Sequence, residues 1–134
     1  MTRIESNTQS VPVSAATAFA FLSDIHNLGR ILPEQVEGFH AEGDQCSFTI
    51  KGMATLGLKI ENTQPHSAVI FGSHGKTPFA FTLRAEITIT GPSTCAVQLL
   101  MDAELNPMLK MLAERPLGNF LNMLTDRFVA LHQA

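Results

Sequence analysis

The chain has 134 residues and a formal net charge of −3, and its length predicts one globular domain. Apolar residues make up 45% and charged ones only 16%, below the roughly 25% of an average domain. Its nine Lys and Arg are scattered, which argues against a nucleic-acid partner because such proteins carry a basic stripe. No apolar run reaches the roughly 18 residues of a membrane span, and the N-terminus lacks the apolar segment of a signal peptide. We therefore expect a single cytoplasmic domain over residues 1–134, with Cys46 and Cys95 as separate thiols.

The first quarter of the chain predicts one strand followed by two short helices. Residues 2–13 have the pattern of a strand, and Ser14 is a suitable N-cap for a helix over residues 15–24. Asn27 is suited to cap a second helix over residues 28–32, which Pro33 ends. Because both helices are too short to be stable alone, we expect them to pack on a common surface.

Apolar and polar residues alternate from Val36 to Leu105, which predicts six consecutive antiparallel strands joined by short turns. Gly43 and Asp44 form the first predicted hairpin turn. With the N-terminal strand, these segments give a seven-stranded sheet with one apolar face. The same alternation directs the charged side chains to the other face, among them Lys59, Arg84 and Glu86.

The C-terminal segment is predicted to be helical. Asn106 and Pro107 favour a helix start, because proline is suited to the first helical position. Pro116 predicts a kink that separates a short helix from a longer apolar one. Only this last helix is long enough to cover the apolar face of the sheet. We therefore predict an α+β fold in which the antiparallel sheet curls around the C-terminal helix.

This pattern resembles the START-like, or SRPBCC, helix-grip superfamily, which includes polyketide cyclase/dehydrase and lipid-transport proteins. The resemblance rests on residues 11–34, with Phe21-Leu22-Ser23-Asp24 followed by Pro33, on the six-strand run, and on residues 102–131. It implies an apolar cavity between sheet and C-terminal helix that binds a small apolar or amphipathic, lipid- or polyketide-like molecule. Twelve apolar residues are predicted to line such a cavity: Phe48, Ile50, Leu56, Leu58, Phe71, Phe79, Phe81, Leu83, Leu99, Met101, Phe120 and Leu124.

Two features of the sequence bear on alternatives to ligand binding. The apolar face holds no carboxylate, His or Lys for general acid–base catalysis, which argues against an enzyme. An entirely apolar face is also what a filled hydrophobic core would show, so this alternative stays open. A cyclase- or dehydratase-like enzyme would have to use residues at the cavity mouth. A non-catalytic interaction module would use an exposed strand face or the methionine-rich segment 106–114. The alternatives for that segment are an adaptable lid over the cavity and plain core.

His26, Arg30 and His74 are the candidate residues for the cavity mouth. His26 and Arg30 lie at the junction of helices and sheet, where they would meet a ligand carboxylate or hydroxyl, and His74 lies in a strand connection. The alternative is that all three are ordinary solvated side chains. Five scattered His and two separated Cys predict no metal site, and no cofactor is expected.

Overall fold

The computed structural model describes residues 1–75 and 77–133 and shows an α+β fold, in which a curled antiparallel sheet packs against a long C-terminal helix. The helices are α1 (Ala15–Leu22), a 3₁₀ helix (Ile25–Arg30) and α2 (Pro107–Leu131). The strands are β1 (Thr2–Glu5), β2 (Gln9–Val11), β3 (Val36–Glu42), β4 (Gln45–Ile50), β5 (Ala54–Gln64), β6 (Ala68–Ser73), β7 (Phe81–Gly91) and β8 (Thr94–Ala103).

The sheet follows the order β1-β8-β7-β6-β5-β4-β3, and every pairing is antiparallel. The six strands from β3 to β8 are neighbours in chain order, as the alternating pattern predicted. Gly43 has a φ of +63°, a backbone conformation that favours glycine, in the turn between β3 and β4. The predicted helix-grip architecture is confirmed.

The predicted N-terminal strand is divided in two. Glu5 pairs with Leu100 and Gln9 pairs with Val97, so the three residues between Glu5 and Gln9 pass alongside only two residues of β8. At this irregularity the backbone N–H of Leu99 donates to the hydroxyl of buried Ser6 at 2.9 Å. β1 and β2 therefore both pair with β8 and together form one edge of the sheet, so the sheet is seven strands wide although it contains eight strands.

The two short helices form as predicted, but the second begins earlier. Ser14 accepts a hydrogen bond from the backbone N–H of Thr17 and caps α1. Asp24, and not Asn27, caps the second helix by accepting from the backbone N–H of His26. Asn27 instead lies inside this 3₁₀ helix and donates to the carbonyl of Phe21 at 3.2 Å. Asp and Asn cap helices about equally well, so the difference is one of position: Asp24 directly precedes the first helical residue, Ile25.

The predicted division of the C-terminal helix is wrong. α2 is one helix from Pro107 to Leu131, capped by Asn106, with Pro116 in its interior. A proline removes one backbone hydrogen bond and costs about 3 kcal/mol, which packing of the following apolar residues against the sheet offsets. Those buried residues are Leu117, Phe120, Leu121, Leu124, Thr125, Phe128 and Val129.

The core lies between the sheet, α1, the 3₁₀ helix and α2. The inward alternation holds along β4, where Cys46, Phe48 and Ile50 are buried. It holds along β7 only until Ile87, since Ile89 is 67% exposed beyond the edge of the core. Within the described residues, no helix is long and apolar enough to cross a membrane.

Candidate ligand site between the sheet and the C-terminal helix

All twelve predicted ligand-binding residues are buried and belong to one continuous apolar cluster. The ring centroids of Phe48 and Phe120 are 5.7 Å apart, which brings the sheet and α2 into direct aromatic contact. Those of Phe79 and Phe81 are 5.9 Å apart. The centre of the sheet–helix interface is therefore closely packed, and two spaces with mainly apolar walls lie toward its ends.

The first space is a small apolar cavity beside α1 and the 3₁₀ helix. Its volume is about 20 Å³, little more than one water-sized sphere. Phe71, Leu83, Leu99 and Leu124 are the predicted residues that line it. The remaining lining residues are Phe21, Leu22, Asp24, Ile25, Leu28, Ile31 and Ala85. This cavity is too small for a ligand in the present conformation, since drug-sized ligands occupy roughly 300 Å³ or more.

The second space is an apolar groove of about 290 Å³ between the sheet and the first turns of α2. Three short segments form its walls. The first is the turn after β4 with the start of β5 (Gly52, Met53 and Ala54), the second precedes β7 (Pro78 and Phe79), and the third lies on α2 (Leu109, Leu112 and Ala113). Its volume is close to that of a small-molecule site, so the groove, unlike the cavity, has room for a ligand without rearrangement.

The helical spacing of Leu109, Leu112 and Ala113 explains how α2 supplies one wall. Residues three and four apart share a helix face, so all three point toward the groove. Ala113 is buried, whereas Leu112 is 68% exposed. The adjacent Met108 and Met111 are 71% and 86% exposed. Of these three exposed side chains, Leu112 is the one that lines the groove.

His26 and Arg30, the candidate mouth residues, lie near the small cavity but do not pair with each other among the described residues. The Nδ1 atom of His26 lies 3.1 Å from a carboxylate oxygen of Asp24, and the His26 side chain is 57% exposed. The hydrogen bonds from His26 lower the pKa of Asp24. The Arg30 guanidinium lies over the ring of Phe21, which lines the cavity.

His74 lies elsewhere, in a shallow pocket that it shares with His40, Glu42, Ser47 and Thr55. Ser47 and Thr55 alternate along their strands with buried Phe48 and Leu56, so this pocket opens on the polar face of the sheet. The structure therefore separates His74 from His26 and Arg30. None of the three lines the groove.

Neither cysteine has the character of a reactive thiol. Cys46 and Cys95 are buried and free. Burial raises the pKa of Cys46 to about 12 and also raises that of Cys95, so both thiols stay protonated at neutral pH. Within residues 1–75 and 77–133, no three potential ligating side chains come together as a metal site.

Sequence reasoning missed most of the groove. Of its eight lining residues, only Phe79 was predicted to bind ligand. Met53 and Pro78 lie in connections that have no apolar periodicity. Leu109, Leu112 and Ala113 follow helical spacing, and this was the one signal that could have placed them on a common face.

Comparisons with known proteins place this geometry in a recognised fold. No family model matches the chain, and no curated protein does. Among solved structures, a START superfamily protein from Mycobacterium smegmatis matches with a TM-score of 0.77 and 16% identity, covering 97% of this chain and 96% of that one. The protein XoxI from Bacillus cereus matches with a TM-score of 0.74 and 12% identity, over 100% of both chains.

A structure of norcoclaurine synthase from Thalictrum flavum, in complex with dopamine and hydroxybenzaldehyde, also matches. Its TM-score is 0.71 at 15% identity, covering 99% of this chain and 88% of the enzyme. At these identities the likeness establishes the fold alone. The chain therefore has the START-like helix-grip fold, as the resemblance in its sequence implied.

Proposed function

We propose that the protein binds a small apolar or amphipathic molecule in the groove between the sheet and the first turns of α2. The observation that carries this proposal is the groove itself, about 290 Å³ of space walled by Met53, Phe79, Leu109 and Leu112. The small apolar cavity beside α1, by contrast, holds only about 20 Å³. Removal of apolar surface from water would supply most of the binding free energy.

The predicted ligand-binding residues take two roles in this proposal. Phe79 contacts the ligand directly, because it lines the groove. Phe81 packs against Phe79, and Phe48 packs against Phe120 in the closely packed part of the interface. The remaining members of the twelve hold the sheet and α2 at the distance that leaves the groove open. A small-molecule complex of norcoclaurine synthase shows that this fold accommodates such ligands in at least one protein.

A titration with Nile red, a neutral apolar fluorophore, tests the proposal. Leu112→Asp places a charge in the groove and should weaken Nile red binding by at least about tenfold. A tenfold change in Kd corresponds to roughly 1.4 kcal/mol, and covering the Asp carboxylate with the bound dye costs more than that. Ile89→Asp is the matched control, because Ile89 is equally exposed, 67% against 68%, at the far end of β7. Equal binding by both variants and the wild type would contradict the proposal.

An interaction module is a second candidate, favoured by the exposed side chains of Met108, Met111 and Leu112. Residues at these spacings form one continuous patch on α2, and such patches are frequent at protein–protein contacts. If two copies of the chain associate through this patch, Met111→Lys should reduce self-association in analytical ultracentrifugation. A protein that is monomeric at all concentrations would contradict this second candidate.

The cyclase- or dehydratase-like alternative has less support. It requires a titratable group beside the bound molecule, and His26, Arg30 and His74 all lie outside the groove. These residues would act only on a ligand that enters the small cavity after it has widened. Loss of turnover of a polyketide-type substrate in His26→Ala or Arg30→Ala would favour this alternative over simple binding.

A further inference from the structure

We infer that the first part of α2, residues 107–115, is a lid that opens and closes over the groove by bending at Pro116. The inference rests on the proposed function, because the groove is the site that the lid would cover. It adds a mechanism for ligand entry, and its evidence is the difference between the two parts of α2 on either side of Pro116.

Pro116 supplies the hinge. Proline has no backbone N–H, so the carbonyl of Leu112 lacks the hydrogen bond that residue 116 would donate in a regular helix. The proline ring also crowds that same carbonyl. Bends in helices concentrate at such positions. Leu112, whose carbonyl is released, is also a residue that lines the groove.

The part of α2 after Pro116 is firmly attached. Seven of its residues are buried against the core. Asn122 accepts a hydrogen bond from the backbone N–H of Asn7 at 2.8 Å, and Asp126 accepts one from the side chain of Gln9. Gly118 lies so close to β1 that an added Cβ would be 3.8 Å from Ile4. This part cannot move without disrupting its packing against β1 and β2.

The part before Pro116 is weakly attached. Ala113 is its only buried residue among those described, and Leu109 is half-buried. Within the described residues, no side chain of this part makes a hydrogen bond or ion pair to the rest of the molecule. Segments with few buried contacts open at a low free-energy cost. Residues 107–115 can therefore swing while the remainder of α2 stays in place.

The chemistry of the lid fits its proposed role. In the present position Leu112 lines the groove and is nevertheless largely exposed. An apolar molecule in the groove would give the side chain of Leu112 a surface to pack against, so occupancy would favour the closed lid.

Hydrogen exchange of the ligand-free protein tests the hinge. We expect the amides of residues 111–115 to exchange at least about tenfold faster than those of residues 119–127, with the change occurring at Pro116. Pro116→Ala restores the missing hydrogen bond and should slow exchange in residues 111–115 by roughly tenfold, with little effect on residues 119–127. A gradual increase toward the N-terminus that Pro116→Ala does not alter would indicate ordinary fraying and overturn the inference.

The same measurement with saturating Nile red tests the closing of the lid. Exchange in residues 111–115 should slow at least about fivefold, while exchange in residues 119–127 stays unchanged. If Nile red binds and residues 111–115 exchange as before, the lid is overturned and the proposed function stands. If Nile red does not bind at all, the proposed function is overturned and the lid loses its site.

Discussion

The guanidinium carbon of Arg30 lies 5.4 Å from the centroid of the Phe21 ring, which joins the 3₁₀ helix to α1. The ring of Phe21 also makes edge contacts with Phe128 at 5.4 Å and His132 at 4.8 Å near the end of α2. Three helical elements therefore meet at one aromatic side chain. Arg30 extends this aromatic cluster with a cation–π contact, which is the clearest role that the structure gives this residue.

Arg30→Gln should lower the free energy of unfolding by about 0.5–1 kcal/mol, because it removes a cation–π contact at an exposed position. Chemical denaturation measures the difference. Arg127→Gln is a suitable control, since Arg127 is exposed on α2 and makes no cation–π contact among the described residues. Equal stability of the two variants would show that the contact between Arg30 and Phe21 does not stabilise the fold.

A second prediction concerns the ion pair between Arg3 on β1 and Asp102 on β8. The Nε and Nη2 atoms of Arg3 each donate to an Asp102 oxygen at 2.9 Å, and these hydrogen bonds lower the pKa of Asp102. Because the folded pKa is below the unfolded one, the ion pair stabilises the protein at pH values above the ordinary carboxyl pKa of about 3.9. The stabilisation is lost as the pH falls through the folded pKa.

Asp102→Asn should therefore be less stable than the wild type at pH 7, and the difference should disappear on acidification. Thermal unfolding at a series of pH values measures this convergence. The difference at pH 7 should also shrink in 1 M NaCl, because this pair is partly exposed and salt screens it. If Asp102→Asn is still less stable than the wild type below pH 2, the loss of stability does not come from the charge of Asp102.

A third prediction compares two glycines of the sheet. A Cβ added at Gly57 would lie 2.0 Å from the backbone carbonyl oxygen of His74, and one added at Gly72 would lie 2.2 Å from the carboxyl carbon of Glu61. The backbone of His74 is held next to Gly57, because the N–H of His74 donates to the carbonyl of Gly57 at 2.8 Å, so the His74 carbonyl cannot shift without disturbing this hydrogen bond. The exposed Glu61 side chain is free to rotate away.

Gly57→Ala should therefore destabilise the protein by about 1–3 kcal/mol or more, the usual cost of overpacking. Gly72→Ala should have a much smaller effect, although the distances alone are similar. Urea unfolding of both variants measures the contrast. Equal destabilisation would show that the loop at His74 yields as easily as the side chain of Glu61.

A fourth prediction uses the small cavity. Leu124→Ala should destabilise the protein by about 2–5 kcal/mol, because it enlarges a space that is already about 20 Å³. Leu131→Ala, on the same helix but 39% exposed, should cost much less. Apolar cavities of about 150 Å³ bind benzene, so benzene should raise the melting temperature of Leu124→Ala and leave that of Leu131→Ala unchanged. No stabilisation by benzene would show that the core collapses into the space.

The architecture was predictable because its signals are local and repeated. Alternation over six successive strands determines which side chains face the core, and Gly43 fixes the first hairpin. Asn106 and Pro107 mark the start of α2. Alternation and burial part where β7 extends beyond the core, since Ile89 continues the apolar pattern and is exposed. Periodicity contains no information about where a covering helix ends.

The site was less predictable because it depends on small differences in packing. Alternation places Phe48 and Phe79 on the same apolar face, but only the relative positions of the sheet and α2 decide that one is packed tightly and the other lines a groove. The sequence predicts that Pro116 divides the helix, because a proline in a helix interior removes a backbone hydrogen bond. The burial of Phe120, Leu121 and Leu124 that offsets this cost is a tertiary effect.

The central claim is that a ligand occupies the groove under the first turns of α2, and methyl-resolved NMR with Nile red tests it most directly. We predict that titration shifts the methyl signals of Met53, Leu112 and Ala113, whereas those of Ile89 and Leu131 stay in place. Shifts confined to Leu83, Leu99 and Leu124, which line the small cavity, would contradict this location. An absence of any shift at saturating Nile red would contradict the proposed function itself.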